Sequence, residues 1–170
     1  MGNQQERSLA WLAGILDGEG TVSIQVYTLP DGRIRITPFV GIVNTDDGIL
    51  NECRRILEEI GVAYRNCKAP SSGRGFESKL VVSNLRVDGQ KPVKLLLEQV
   101  GSYLWSKKRE NAATILRYLQ SREENGFSRD EKGRVRRCEY TRAEIAMIAS
   151  VRSHPRAKSS EAICQAPNVI

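Results

Sequence analysis

Two carboxylates stand where a helix does not favour them. The segment WLAGILDGEG, residues 11–20, is apolar and rich in small residues, and its end sets Asp17 and Glu19 among Gly14, Gly18 and Gly20. The last turn of a helix carries partial negative charge, so acids there are destabilising unless something positive meets them. Capping by glycine accounts for Gly18 or Gly20 but not for the carboxylates. A hard divalent cation accounts for both, because a carboxylate and a backbone carbonyl at a helix end are oxygen donors of the kind Mg²⁺ takes. One such carboxylate is a thin site; two copies of the chain would supply two.

A second set of residues has the chemistry to read or hold a polyanion. TVSIQVY (21–27) alternates strictly, with Val22, Ile24 and Val26 on one side and Thr21, Ser23, Gln25 and Tyr27 on the other. RIRITPFVGIV (33–43) sets Arg33, Arg35 and Thr37 opposite Ile34 and Ile36. A later hairpin adds Asn66, Lys68, Arg74, Glu77 and Lys79. Arginine pairs with guanine, glutamine with adenine and acids with cytosine amino groups, and a two-stranded ribbon fits the major groove. Water is the other natural neighbour of such a face, since antiparallel sheets expose polar residues on their open side. SKKR (106–109) opens a helix with cations, against the dipole. It is either a solvated surface offset by Glu110 or a cluster that meets phosphate.

The elements that must position these groups follow from periodicity. Ser8 can cap a helix running to about Gly18, with Leu9, Leu12 and Leu16 on a buried stripe and Ala10, Gly14 and Gly18 on a nearly bare one. LPDGR (29–33) is a turn by its Pro-Asp-Gly chemistry, and Pro38 and Gly41 predict a bulge or an edge in the second strand. A helix follows over 45–61, started by Thr45 or Asp46 and stopped by Gly61, with Ile49, Cys53, Ile56, Leu57 and Ile60 facing inward. Residues 62–69 and 76–84 read as strands, and 91–104 and 106–121 as helices. The class is α+β, in the order α-β-β-α-β-β-α-α, with a four-stranded antiparallel sheet covered by helices on one side. Residues 1–121 form the core domain. Residues 122–153 form an extension with the basic loop KGRVRR (132–137) and a helix started by a capping box of Thr141 and Glu144. Residues 154–170 lack periodicity and read as a mobile tail.

Composition bounds the partners. The chain has 170 residues, 40% hydrophobic and 27% charged, with a net charge of +6. That balance is globular and favours a polyanionic partner. The four cysteines form no C-x-x-C pair and His154 is the single histidine, which excludes a zinc ribbon or a disulfide scaffold. No apolar run spans a membrane, and MGNQQERSLAW has no signal-peptide core and no myristoylation pattern. Neither a membrane nor a small-molecule substrate is expected.

LAGILDGEG (12–20) resembles the signature of the LAGLIDADG homing endonucleases, and IVNTDDGIL (42–50) and YLWSKKRENA (103–112) are similar to the corresponding family segments. The resemblance covers roughly residues 8–120. It implies an αββαββα core whose saddle-shaped sheet lies along the DNA major groove. With one signature it implies a homodimer on a long pseudo-palindromic duplex, the signature helices packed along Ala10, Gly14 and Gly18, and Asp17 a structural acid near that seam. Glu19 then matches the metal-binding acid, where many members carry Asp, with the Gly20 carbonyl as its companion and Mg²⁺ as the ion, Mn²⁺ substituting. Lys107 matches the active-site lysine, with Lys108 one residue away and otherwise a DNA contact. Asn44 or Thr45 matches a water-positioning polar residue; some relatives use Gln there. An Arg found in some relatives has no counterpart, Ile49 falling near it. The implied DNA contacts are Ser23, Gln25, Tyr27, Arg33, Arg35, Asn66, Lys68, Arg74, Glu77 and Lys79. The implied reaction is metal-dependent hydrolysis of both strands across a minor groove, leaving 3′ overhangs, in the course of intron homing. An RNA-binding intron maturase and a non-cleaving DNA-binding regulator are the alternatives on the same fold.

Overall fold

Helix α1, Gly2–Glu19, runs directly into strand β1, Gly20–Thr28, with no intervening loop. The chain continues through β2 (Ile34–Asn44), α2 (Asp47–Glu59), β3 (Arg65–Lys68), β4 (Ser83–Asp88) and α3 (Gln90–Val100). A single 3₁₀ turn at Gly101–Tyr103 leads to α4 (Lys107–Asn125), then β5 (Phe127–Arg129), β6 (Val135–Arg137) and α5 (Arg142–Val151). These elements come from a computed structural model that describes residues 2–32, 34–68, 83–129, 131–132 and 135–151. The predicted sites Arg33, Arg74, Glu77 and Lys79 lie outside the described residues, as do the 70–75 loop and the 154–170 tail.

The first four strands form one antiparallel sheet in the order β1-β2-β4-β3, in agreement with the α+β reading. The first hairpin turns at Leu29-Pro-Asp-Gly, where Gly32 N donates to Leu29 O at 2.9 Å and Gly32 takes a φ of 81°, a conformation glycine adopts without strain. The β1–β2 register is unbroken from Gly20↔Ile42 to Thr28↔Ile34, so the expected bulge at Pro38 and Gly41 does not occur. Nor is β2 an edge. Pro38 is tolerated because its O accepts from Gly89 N at 3.1 Å, one step past the Phe39↔Asp88 end of the β2–β4 ladder. In an antiparallel strand a residue's N and O point to the same side, so the missing N–H falls where the ladder has already ended.

One face of the sheet carries the core. Leu12, Leu16, Val22, Ile24, Val40, Ile42, Leu85 and Val87 pack with Cys53, Ile56 and Leu57 of α2, Leu96 and Leu97 of α3, and Ile115 and Leu119 of α4. Several boundaries differ from the sequence reading, while Asp46, one of the two expected starts, does cap α2. Helix α1 begins at Gly2, not Ser8; residues 3–7 are exposed and polar, so they carry no hydrophobic period, and Ser8 lies mid-helix, half-buried beside Arg55 of α2. Asp46 is the N-cap of α2, its carboxylate accepting from Gly48 N at 2.7 Å, and this phase buries Leu50 while Ile49 and Ile60 are only partly covered. Strand β4 extends to Asp88, four residues past its expected end.

The extension is tied down by one arginine. Arg122 of α4 donates to the carbonyls of Gly126 (3.3 Å), Cys138 (3.1 Å) and Glu139 (3.3 Å), and its guanidinium lies 4.4 Å from the Tyr140 ring centre. It faces Glu144, which is fully buried and completes the expected capping box by accepting from Thr141 N at 2.8 Å. Part of the stretch expected as a basic loop pairs as the β5–β6 hairpin.

Candidate active site

The junction of α1 and β1 is set by Gly20. A Cβ there would stand 2.7 Å from Leu16 O and 2.8 Å from Leu16 Cα, so only glycine lets the strand leave the helix this tightly. Glu19 is consequently the last helical residue, exposed at the head of β1. Its Oε2 accepts from Asn44 Nδ2 at 3.1 Å. Asn44 ends β2, and its Oδ1 accepts from Asp46 N at 2.8 Å, so the amide nitrogen is the end left to face Glu19. Of the two polar residues expected here, Asn44 meets the acid, while Thr45 is exposed beside it.

Asp17 and Glu19 part company. Asp17 Oδ2 accepts from Trp105 N at 2.8 Å, and Asp17 Oδ1 accepts from Ser106 N at 3.2 Å and from the Ser106 hydroxyl. Partial burial pushes the Asp17 carboxyl up, but these hydrogen bonds and the charge of Lys108 outweigh it and hold the group below its ordinary value. The two lysines also separate. Lys107 is well exposed and pairs with Glu110 one turn on. Lys108, the other match for the active-site lysine and otherwise an expected DNA contact, turns its ammonium to the end of α1, donating to Leu16 O at 2.7 Å and Asp17 O at 2.8 Å. Burial pulls its pKa down, against the opposing pull of Asp17.

The open sheet face is read from the register. Thr21↔Gly41, Ser23↔Phe39, Gln25↔Thr37 and Tyr27↔Arg35 share that side, and β4 adds Asn84, Arg86 and Asp88 while β3 adds Arg65 and Cys67. Tyr27 and Arg35 are exposed there. The Tyr27 hydroxyl and the Arg86 guanidinium both donate to Gln25 Oε1. Arg86 lies 4.0 Å above the Phe39 ring centre, and its Nε donates to Asp88, which also accepts from Arg65. Arg65, Arg86, Phe39 and Asp88 stand on this face although the sequence reading does not single them out. The alternation of SNLRVD, with Leu85 and Val87 inward, was the available signal.

Three expected contacts are set apart from the exposed part of that face, Ser23 by burial and Asn66 and Lys68 by register. Ser23 has the right parity but is 1% exposed, and its hydroxyl donates to Val151 O at 2.9 Å, so the end of α5 covers it. Asn66 pairs with Leu85, on the helix side, and accepts from Arg54 Nε of α2 at 3.0 Å. Lys68 stands at the next position of that parity, opposite Ser83. On α1, Ala10, Gly14 and Gly18 are exposed, and a Cβ at either glycine would meet nothing within 4 Å. Asp17 is turned from that stripe toward α4.

The donor set fits a hard cation. Glu19 and Gly20 offer carboxylate and carbonyl oxygens on consecutive residues, and among the described residues no three His, Cys, Asp or Glu side chains come together. Such a site is completed by water and phosphate oxygens, the habit of Mg²⁺ rather than of a closed protein cage. Among the described residues no helix is long and apolar enough to cross a membrane.

No protein-family model matches the sequence, and no curated protein matches it. Solved structures do. The homing endonuclease I-CvuI, crystallised with its DNA target and Ca, aligns over 96% of this chain and 94% of its own, with a TM-score of 0.69 and 16% identity. The archaeal intron-encoded homing endonuclease I-Vdi141I, complexed with DNA, aligns over the same shares with a TM-score of 0.65 and 12% identity. The LAGLIDADG meganuclease I-AabMI, bound to uncleaved DNA, aligns over 95% of this chain but 50% of its own, with a TM-score of 0.58 and 21% identity. The signature at 12–20, the antiparallel β1-β2-β4-β3 sheet and these likenesses agree: the chain has the fold of the LAGLIDADG homing endonucleases.

Proposed function

We propose that the chain is a homodimeric, site-specific homing endonuclease that cuts both strands of a long pseudo-palindromic duplex. The observation that carries this reading is the Glu19–Asn44 pair, a carboxylate oriented by a fixed amide where the bare face of α1 meets the open sheet. The chain spans nearly all of I-CvuI and half of I-AabMI, so it supplies one of two such units and a second copy supplies the other. Packing α1 on its copy along Ala10, Gly14 and Gly18 brings two Glu19 carboxylates to one minor groove. A two-fold protein then reads a repeated half-site.

Each residue has a stated task. Gln25, Tyr27, Arg35, Arg65 and Arg86 face the duplex, and Arg33, Arg74, Glu77 and Lys79, outside the described residues, are further candidates from the sequence. Glu19 and the Gly20 carbonyl would hold Mg²⁺ or Mn²⁺, which when bound activates water and offsets charge at the scissile phosphate. Asn44 keeps the Glu19 carboxylate aimed and is the water-positioning candidate, with Thr45 at hand. Lys107 brings an ammonium to the charge that grows on phosphate oxygen. Water attacks phosphorus, the P–O3′ bond breaks, and a 5′-phosphate and 3′-hydroxyl remain on each strand, staggered as 3′ overhangs.

The test is cleavage of a plasmid library carrying randomised palindromic sites, with Mg²⁺ and with EDTA. Linear product that appears only with metal and is lost by about 10³-fold in Glu19→Gln, with duplex binding in Ca²⁺ retained, is the expected result. A chain that selects duplex from the library but cuts none is a regulator on this fold, and one that retains only structured RNA is a maturase; either result overturns the proposal.

A further inference from the structure

The last turn of α1 lacks the cap that its glycines advertise. Among the described glycines, positive φ occurs at Gly32, Gly61 and Gly89, so neither Gly18 nor Gly20 closes the helix in the left-handed conformation of a glycine cap. The chain goes straight from helix to strand, and the final carbonyls need donors from elsewhere. Lys108 provides them, with Nζ at 2.7 Å from Leu16 O and 2.8 Å from Asp17 O. Leu16 O is also the atom against which Gly20 is packed, so its position is fixed from both sides. The contact is reciprocated, because the Asp17 carboxylate accepts from Trp105 N and from Ser106, the residue that caps α4. The end of α1 is thus met by a side chain of α4, and Ser106, which caps α4 by accepting from Lys108 N, is held by a side chain of α1.

We infer that Lys108 is a positioning residue for the metal-holding end of α1. The inference rests on the reading of Glu19 as the acid that holds the cation. Glu19 and Gly20 lie just past Asp17, separated from it by Gly18 alone, in the same last turn whose Leu16 and Asp17 carbonyls Lys108 grips, so freeing that turn moves the carboxylate and the Gly20 carbonyl together. Its neighbour Lys107 makes no such contact and is paired with Glu110 instead, which divides the SKKR lysines into one that grips the scaffold and one that faces outward. Half-buried and engaged twice, the Lys108 ammonium is committed to the backbone of α1 rather than to a phosphate.

The experiment compares full-length wild type with Lys108→Met, Lys108→Arg and Lys107→Met. Amide hydrogen exchange over residues 12–24 reads the clamp without any target or metal. Lys108→Met should raise exchange in that segment, Lys108→Arg should restore most of the protection, and Lys107→Met should leave it unchanged. On the duplex selected by the wild type, Lys108→Met should raise the Mg²⁺ concentration for half-maximal cleavage by about 10- to 100-fold, as loss of a ligand-orienting partner does. Binding of that duplex in Ca²⁺ should stay within about threefold, since the phosphate-facing charge is elsewhere. Unchanged exchange with an unchanged Mg²⁺ midpoint overturns the inference, and so does a loss of duplex binding equal to the loss of cutting, which makes Lys108 a phosphate contact. Should Lys108→Met not fold, Lys108→Gln, which keeps a donor, is read by the same exchange and midpoint. Failure of the wild type to cut any duplex overturns the proposed function, while the exchange measurement still decides the clamp.

Discussion

Asp88 holds two arginines at once on the open face, Arg65 and Arg86. Partial burial raises its pKa, but the hydrogen bonds and charges of Arg65 and Arg86 outweigh that and leave the carboxyl below its ordinary value of 3.8. The folded-state pKa is therefore lower than that of the unfolded chain. The stabilisation is complete above the unfolded value and is lost as the pH falls through the folded one. Asp88→Asn should accordingly flatten the decline in melting temperature between about pH 5 and pH 2, measured against wild type by a denaturation series in acid. The meeting of Glu19 with Asn44 could be looked for in the sequence, because the resemblance singles out Glu19 and, with Thr45, Asn44. Which of Lys107 and Lys108 meets α1 could not be read there. Adjacent helix positions point about 100° apart, and only the docking of α4 beside α1 selects one of them.

Between elements, the described polar contacts form mutual locks. Asn111 of α4 donates to Val22 O at 3.1 Å, covering part of the outer edge of β1. The end of α5 is held over β1 by Ser23, and its start by the Arg122–Glu144 pair, whose side chains are 6% and 0% exposed. Glu144→Ala would leave the buried Arg122 without its counter-charge and take the cap from α5, costing about 3 kcal/mol. That figure is at the low end for a broken buried pair because three carbonyls still accept from Arg122. Urea denaturation reads the cost, and Glu144→Gln, which keeps an acceptor for Thr141 N, should lose less. The capping box was readable from Thr141 and Glu144. The role of Arg122 was not, since its partners lie up to 22 positions away in sequence.

At the scale of the whole molecule, the small-residue stripe of α1 is exposed, and among the described residues nothing lies within 4 Å of a Cβ built at Gly14 or Gly18. Gly14→Leu should therefore leave the monomer folded, because a Cβ there meets nothing within 4 Å among the described residues, while abolishing the dimer on which the proposed cleavage rests. Sedimentation together with circular dichroism checks both halves of that statement; a folded, active dimer refutes close helix packing at Gly14. The sequence by itself determined the α+β class, the strand alternation, the acid at the head of β1 and the small-residue stripe. All are local patterns, repeating every two or every three to four residues, and composition carries them. Tertiary structure decided the rest: that α5 covers Ser23, that Asn66 turns to α2, that Arg86 and Asp88 join the open face, and that Lys108 meets the end of α1. Each depends on which element lies beside which, and long-range packing and strand register fix that, not the period of any one segment.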